Sequence, residues 1–371
     1  MCIFFFTLDH PQYCLIAASN RDEFLARPTR DAAWHSFGSS DPSQSTVLSG
    51  IDAHPAGGGT WLGITKSGRF GALLNYTELP PPPPAPELGI SKYLSRGEFV
   101  RRWLAAHDAK EGPASISGNR DLDSFLQEVN DKKAMFPGFN LLVGEVVPKS
   151  ASADDEERAF RLGYVSNRTQ GEDARPLILE TDVEGKALGQ CSVCGLSNSV
   201  YQDPWSKVKE GRDKLRSTLE SWHRQTGLQA PDARDATESE EKELIEGLFT
   251  LLGTNSEPDL PEGQPQNIRA TIMVPPFVNT FSKQRPGASV SDPTSASKTS
   301  KTEPDTAAAA EKTNDEPWYG TRLSTVILIR RRDGAATFVE RDVFQLGDDG
   351  QVRRAEGKGK AHERKFHFVV D

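Results

Sequence analysis

Hydrophobic and polar positions alternate along the chain in short runs that predict mainly β-strands. Apolar residues fill Ile3–Leu8 and Tyr13–Ser19, and the polar DHPQ between them is typical of a hairpin turn. A second hairpin is predicted for Trp61–Thr65 and Phe70–Asn75 around KSGR. Other apolar runs of strand length predict strands at Asn140–Val146, Ala159–Ser166, Leu177–Glu180, Leu188–Cys194, Ile268–Met273, Ser324–Arg330, Thr337–Arg341 and Lys365–Val370.

A few segments show instead the three-to-four-residue apolar spacing of amphipathic helices. They are Ser91–His107, Leu122–Lys133, Lys207–Gln225 and Ser239–Leu252. Antiparallel strands with a few helices indicate an α+β layered fold. The strand Ile3–Phe6 is apolar at every position, so both of its faces should be covered. This pattern suits a sheet with helices on one side and a second sheet on the other.

Polar and proline-rich stretches interrupt this pattern without dividing the chain, so residues 1–371 are predicted to form a single domain. Pro80–Glu87 (PPPPPAPE) is predicted to be a stiff linker, and 148–158 and 229–240 are predicted to be polar loops. The stretch Ser282–Glu316 has almost no large apolar residue and is predicted to be disordered.

The charge balance narrows the possible partners. The formal net charge is −9 and the isoelectric point about 5.4, which argues against nucleic acid as a partner. The basic cluster Arg330–Arg332 is expected to be a solvated strand end. No apolar run has the length of a membrane span, and the short run after Met1 does not have the form of a signal peptide. A cytoplasmic protein is therefore predicted, and an association with the Golgi or with mitochondria stays open.

Cysteine, histidine and glycine patterns give little support to a metal or phosphate site. Cys191 and Cys194 form a single C-x-x-C with no second ligand pair nearby, so buried strand cysteines are the favoured interpretation. The histidines show no metal spacing. The glycines of AGGGTWLG lack the Gly-Lys-Ser/Thr ending of a phosphate loop and are expected to permit a tight bend before Trp61. No metal and no required cofactor are predicted.

The hairpin turn brings a charged cluster back to Cys2. If DHPQ forms the loop, Leu8 pairs with Tyr13, and counting outward places Cys2 opposite Ser19. Arg21 and Asp22 then lie just beyond Cys2. Taken alone, the NRDE sequence is more typical of a charged turn, and only this geometry connects it to the cysteine.

Removal of Met1 would leave Cys2 with a thiol and a free amine on one carbon. That amine can serve as general base for its own thiol, Arg21 would favour the thiolate, and Asp22 would orient the amine. Asn75 and Asn198 are candidate oxyanion donors, and Arg322, just before a buried strand, is a second cation. The alternatives are that both asparagines form turns and that Arg322 is solvated.

The order of several motifs resembles one family. MCIFFF, the NRDE of Asn20, Arg21, Asp22 and Glu23, GGTWLGI, GFNLLVG, GLSNS with DPW, and YGTRLSTVIL follow one another along the chain. This arrangement resembles the NRDE family, the transport and Golgi organisation proteins. The resemblance implies a role in secretory-pathway and Golgi organisation, in lipid metabolism or in haem mobilisation.

More distantly, the arrangement resembles the cysteine N-terminal-nucleophile hydrolases of the choloylglycine-hydrolase type. This resemblance implies a four-layer αββα sandwich with Cys2 as nucleophile. Arg21 and Asp22 would hold the cysteine, Asn75 and Asn198 would surround the oxyanion, and Arg322 would be the late arginine. Here Arg21 directly precedes Asp22, whereas those hydrolases separate the two residues.

Two functions are consistent with these features. The first is a carrier or trafficking factor that binds a small hydrophobic or acyl ligand, or haem as cargo. For haem, His10, His35, His54, Cys2 and the C-x-x-C are the available axial ligands, and none stands out. The second is an amidohydrolase or thioesterase that uses Cys2. A fold alone does not decide between them.

Overall fold

Two seven-stranded antiparallel sheets form the body of the molecule. In the computed structural model the described residues are 2–37, 46–54, 58–78, 83–105, 121–148, 157–171, 175–179, 193–229, 234–256, 267–279, 318–355 and 362–370. The first sheet has the order β10-β1-β2-β12-β13-β16, with β11 on β12, and the second runs from β3 to β9 in chain order.

The strands of the first sheet are β1 (Ile3–Thr7), β2 (Tyr13–Phe24), β10 (Cys194–Leu196), β11 (Phe277–Val278), β12 (Trp318–Arg330), β13 (Ala335–Asp342) and β16 (Glu363–Val369). Those of the second are β3 (Thr29–His35), β4 (Val47–Asp52), β5 (Leu62–Thr65), β6 (Phe70–Asn75), β7 (Phe139–Pro148), β8 (Arg158–Ser166) and β9 (Leu177–Leu179). A separate hairpin pairs β14 (Phe344–Leu346) with β15 (Val352–Arg354).

Four helices of the described chain cover the outer faces of these sheets. They are α1 (Gly97–Leu104), α2 (Leu122–Lys132), α3 (Ser206–Thr226) and α4 (Glu238–Leu252), with short 3₁₀ turns at Pro86–Leu88 and Lys133–Met135. The first pair packs on the second sheet and the second pair on the first sheet. Asp121 and Thr237 cap α2 and α4 by accepting hydrogen bonds from backbone N–H groups of the first turn.

Strand alternation divides most of the buried apolar side chains into three large cores. In β1, Phe4 and Phe6 face the second sheet, whereas Ile3 and Phe5 face α3 and α4. A third core lies between α1, α2 and the second sheet. The layers therefore follow the order helix, sheet, sheet, helix, and the α+β class is confirmed. The fully apolar β1 is covered on both faces, as the sequence predicts.

The N-terminal hairpin has a wider turn than predicted. Ile3 pairs with Asn20 and Phe4 with Ser19, so the register differs by two residues from the prediction. The guanidinium of Arg331 lies in this turn and donates to the carbonyls of Leu8, His10 and Tyr13. Arg331 is therefore buried, and the expectation of a solvated basic strand end is wrong for it.

Most predicted helices and strands are present, with shifted ends. The helix predicted from Ser91 begins at Gly97, because the backbone N–H of Leu94 bonds the carbonyl of Met135 instead of joining a helix. The strand predicted at Ile268–Met273 is wrong: the amides of Ala270 and Thr271 donate to the carbonyl of Asn267 and form a turn. Only the last residue of the strand predicted at Leu188–Cys194 lies in β10, and 188–192 lie outside the described residues.

The predicted insertions fall mainly outside the described residues. This applies to Ser282–Glu316, to most of 148–158 and to part of Pro80–Glu87 and of 229–240. The first residue of β8, Arg158, ends the predicted loop 148–158, and Pro86–Leu88 forms a 3₁₀ turn at the end of the proline run. The prediction of one domain over 1–371 stays a prediction.

The contact of α3 with β1 gives a test of the layered packing. A Cβ added at Gly211 would lie 2.0 Å from Cζ of Phe5, so Gly211→Ala should force the helix away from the sheet. We expect a loss of about 1–3 kcal/mol of unfolding free energy in urea. Gly247→Ala on α4 is the comparison: its added Cβ meets only the end of one side chain, Cγ2 of Thr218 at 2.9 Å, so its loss should be clearly smaller. A Gly211→Ala protein as stable as wild type would contradict the packing.

Candidate functional site

A cavity of about 850 Å³ gathers most of the residues singled out in the sequence. Its walls come from the N-terminal end of β1, the far end of β2, the end of β6, the start of α1 and the turn after β10. The predicted residues that line it are Cys2, Arg21, Asp22, Glu23, Asn75 and Asn198. The two sheets thus meet at the predicted site, although these residues are far apart in the chain.

Cys2 lines the cavity and is half-buried. Continuing the register of β1 by one residue places it beside Arg21, not opposite Ser19. Its carbonyl accepts a hydrogen bond of 2.8 Å from the hydroxyl of Ser197, which fixes the strand end. Burial raises the pKa of the Cys2 thiol, as does the carboxylate of Asp22, and the amino terminus, Arg21 and the backbone N–H of Asp22 lower it only in part. The resting group is therefore a thiol and not the thiolate that Arg21 alone would favour.

Arg21 reaches the cavity from the face of β2 that points toward the second sheet. Its side chain is 6% exposed, its guanidinium lies 4.1 Å from the ring centroid of Trp61, and its Nη2 is 3.8 Å from a carboxylate oxygen of Glu23. Its Nη1 is buried and has no hydrogen-bond partner among the described residues. Burial lowers the pKa of Arg21, and the charges of Glu23 and Cys2 oppose that shift. The guanidinium is thus a fixed cation beside the thiol.

Asp22 points the opposite way, toward the helix layer, because successive residues of a strand alternate. Its Oδ1 accepts 2.6 Å from the hydroxyl of Thr321, which stands directly across on β12, and its carbonyl accepts 2.9 Å from Tyr319. Its Oδ2 is 3.9 Å from Nζ of Lys207, and both of these side chains are 0% exposed. The carboxylate is therefore held under Cys2, with its own cation behind it.

Asn75 and Asn198 meet at the opposite wall, but not as two free amide groups. Nδ2 of Asn198 donates to the backbone carbonyl of Asn75, and the backbone N–H of Thr77 donates to the carbonyl of Asn198. The Asn75 residue itself is exposed. Both asparagines line the cavity, and their role as oxyanion donors stays a prediction.

Two predicted residues lie outside the cavity. Arg322 is the extra residue of a β-bulge between the pairs Thr321–Asp22 and Leu323–Arg21, and a bulge redirects a side chain. Its Nη1 donates to the carbonyl of Arg27, and burial lowers its pKa to about 10. The sequence analysis predicted Arg322 just before a strand. It lies instead within β12, where its side chain bonds the backbone of Arg27, a few residues after NRDE.

Asn20 has a structural role. It is fully buried on the helix-facing side of β2, where its amide nitrogen donates to the carbonyls of Leu252 and Ile272. Its amide oxygen accepts 2.6 Å from Ser324 on β12. The first residue of the NRDE sequence thus ties the end of α4 and the 267–273 turn to the sheet. Glu23 faces the cavity between Arg21 and Arg27.

Sequence reasoning missed Lys207, Trp61 and the arginines Arg27 and Arg96 of the cavity wall. Arg27 forms two hydrogen bonds with the carboxylate of Asp52, and Arg96 donates to the carbonyl of Gly138. Lys207 could have been recognised from the sequence, because it lies four residues before Gly211 on the side of α3 that faces the sheet. A lysine at a core position of an amphipathic helix is unusual and calls for a partner.

The candidate haem ligands are spread over the molecule. His10 is buried and its Nε2 lies 2.9 Å from Nε2 of His223, while His35 lies in β3 next to Ser49 and His54 is exposed. None of these three histidines lines the cavity, whereas Cys2 does. Within the described ranges, no three His, Cys, Asp or Glu side chains cluster as metal ligands would.

Cys14 and Cys194 are separate from the cavity. Cys14 is buried, and the hydroxyl of Tyr201 donates to the sulfur of buried Cys194, as the interpretation of strand cysteines predicts. Cys191 lies outside the described residues. In the described part of the chain, no helix has both the length and the apolar character that crossing a membrane requires.

Fold and site together define an α+β protein of two antiparallel sheets with a ligand-sized cavity around an N-terminal cysteine. Comparison with known families is more specific: the family described as Transport and Golgi organisation 2 matches residues 1–345, and the chain belongs to that family.

Relatives from animals match along most of their length. The chain is 29% identical to Transport and Golgi organization protein 2 homolog of Bos taurus, over 94% of this chain and 95% of the relative. It is 27% identical to the homologue of Homo sapiens, over 93% of this chain and 94% of the relative. Transport and Golgi organization protein 2 of Drosophila melanogaster is 30% identical over 60% of this chain and 66% of its own. The resemblance read from the ordered motifs is thereby confirmed.

Selective alkylation tests the position of Cys2. We expect Cys2 to react with iodoacetamide before Cys14 and Cys194, because it lines the cavity, and its rate to keep rising above neutral pH, because its pKa is raised. Cys14 should stay unreactive, because burial raises its pKa to about 12. Mass spectrometry of peptides follows each site, and unfolded protein serves as the control in which every cysteine reacts. Equal rates at Cys2 and Cys14 in folded protein would contradict this geometry.

Proposed function

We propose that this protein is a small-molecule carrier or trafficking factor that holds a hydrophobic or acyl ligand, or haem, in the cavity around Cys2. The observation that carries the proposal is the cavity itself, whose volume of about 850 Å³ lies in the range of small-molecule sites. The names of the relatives refer to transport and Golgi organisation, which supports a role for this chain in organising the Golgi and the secretory pathway.

The lining suits a ligand with an apolar body and a polar group. Phe24, Ile268 and Phe277 form an apolar wall, and charged side chains stand on the side of Arg21 and Glu23. Apolar surface supplies most of the binding free energy, and a few fixed polar groups set the orientation. This lining supports binding without requiring a reaction at Cys2.

Calorimetric titration with a medium-chain acyl thioester and, separately, with haem tests binding. We expect saturable binding of one of the two and a loss of about tenfold or more, roughly 1.4 kcal/mol, in the variant Ile268→Trp, whose indole would occupy the cavity. Leu177→Trp, the same enlargement at an exposed edge strand, is the control and should bind as wild type does. Absence of saturable binding by the wild type would refute the carrier function for these ligand classes.

A second candidate function rests on a separate observation, the presence of Cys2, Arg21 and the amide of Asn198 around one space. We propose, as this second function, that the protein is a cysteine N-terminal-nucleophile hydrolase. Once Met1 is removed, the reaction would use these groups as follows. The Cys2 sulfur bonds the carbonyl carbon while the amide C–N or thioester C–S bond breaks. The α-amine passes the thiol proton to the leaving group, and water then cleaves the acyl-cysteine. The layered sheets and helices fit the αββα architecture of such hydrolases.

Intact-mass spectrometry with linear amides and thioesters tests this reaction. A hydrolase should lack Met1, accumulate an acyl adduct on Cys2 and lose turnover by at least about a thousandfold in Cys2→Ala, the scale on which loss of a nucleophile acts. Ligand binding should survive that substitution, which separates the two functions. A retained Met1, or turnover unchanged in Cys2→Ala, would exclude the mechanism.

A further inference from the structure

A fully buried lysine stands behind the site and has no part in either function as described so far. Lys207 lies in the first turn of α3, on the face that packs against the first sheet, next to Val208 of the core. Its side chain is 0% exposed. Lysine is almost never fully buried unless it is paired, because taking an ammonium group out of water is costly.

The partner of Lys207 is Asp22. Nζ of Lys207 lies 3.9 Å from Oδ2 of Asp22, and the other carboxylate oxygen accepts from Thr321. Burial lowers the pKa of Lys207, and the negative charges of Asp22 and of a Cys2 thiolate raise it. The ammonium group therefore interacts with both groups.

The same carboxylate acts on Cys2. Asp22 follows Arg21, the residue that the register of β1 places beside Cys2, and its negative charge raises the pKa of the thiol. The other charges that act on the thiol are the amino terminus and Arg21, both positive. In a site shielded from water such charges interact strongly, and an Asp22 carboxylate without a counter-ion would oppose a thiolate far more.

We propose that Lys207 is a positioning residue, which acts through Asp22: its ammonium group fixes and neutralises that carboxylate and so keeps the Cys2 thiol reactive. This rests on the proposal above that the cavity around Cys2 is the functional site. It adds a residue that no motif identifies, in a helix distant in sequence from Cys2 and Asp22. A merely structural lysine would fill the same volume without setting the charge beneath the thiol.

The test is the pH profile of Cys2 alkylation by iodoacetamide in the full chain. Lys207→Met keeps the volume and removes the charge, so the apparent pKa of the thiol should rise by about one unit or more. The double variant Lys207→Met with Asp22→Asn removes both charges and should return the profile to that of wild type, a rescue that a packing role would not give. Lys209→Met, the same change at an exposed position of α3, should leave the profile unchanged.

An unshifted profile in folded Lys207→Met, or the absence of rescue in the double variant, would overturn the proposal. If Lys207→Met folds too poorly to label, Asp22→Asn gives the complementary measurement. There the apparent pKa should fall, or stay at the wild-type value if the unpaired lysine loses its proton, and a rise would contradict the role. Failure of this proposal can be told apart from failure of the proposed functions, because ligand binding and turnover are measured on the wild-type protein and do not depend on these variants.

Discussion

The NRDE residues of the site depend on the pairing of β2 with β12. These two long strands lie at the middle of the first sheet, and their register sets Asp22 opposite Thr321 and Asn20 opposite Ser324. Alternation along β2 then sends Asn20 and Asp22 toward the helices and Arg21 toward the cavity between the sheets. The NRDE sequence thus contacts two layers of the fold. The amide of Asn20 bonds the helix layer, and the guanidinium of Arg21 faces the cavity.

The bulge in β12 lies within this pairing, between the pairs Leu323–Arg21 and Thr321–Asp22. By adding Arg322 to one strand only, it allows Thr321 to remain opposite Asp22 while the extra side chain leaves the cavity. Buried charges beside it are costly, since an ion pair shielded from water is seldom more stable than an apolar pair of the same volume. A buried lysine and aspartate below a cysteine are therefore better explained by the chemistry of the thiol than by stability.

Local patterns in the sequence were sufficient for the elements whose apolar spacing is regular. Helices α3 and α4 and the strand pair β7 and β8 lie within a few residues of their predicted positions. The failures have different causes. The 267–273 segment is apolar enough for a strand but forms a turn, whereas β3 and β4 were missed because polar residues interrupt them.

The site could be predicted to a similar extent. Cys2, Arg21, Asp22 and Asn198 line one cavity, although the register behind that expectation was two residues out. A shift of two residues keeps each side chain on its face of the sheet, so Cys2 and Arg21 still lie on the same face. Lys207 and the outward turn of Arg322 depend on contacts between distant segments, which spacing along the chain does not reveal.

The arginine in the N-terminal turn has a consequence for how the chain folds. Arg331 satisfies carbonyls of Leu8 and His10, which are 323 and 321 residues away in sequence. The first hairpin can therefore complete its turn only after the late strand β12 has arrived. Pairings between such distant segments require closure of very long loops, and topologies that depend on them fold slowly. During synthesis the N-terminal strands must accordingly wait, with their apolar faces uncovered, until almost the whole chain has been made.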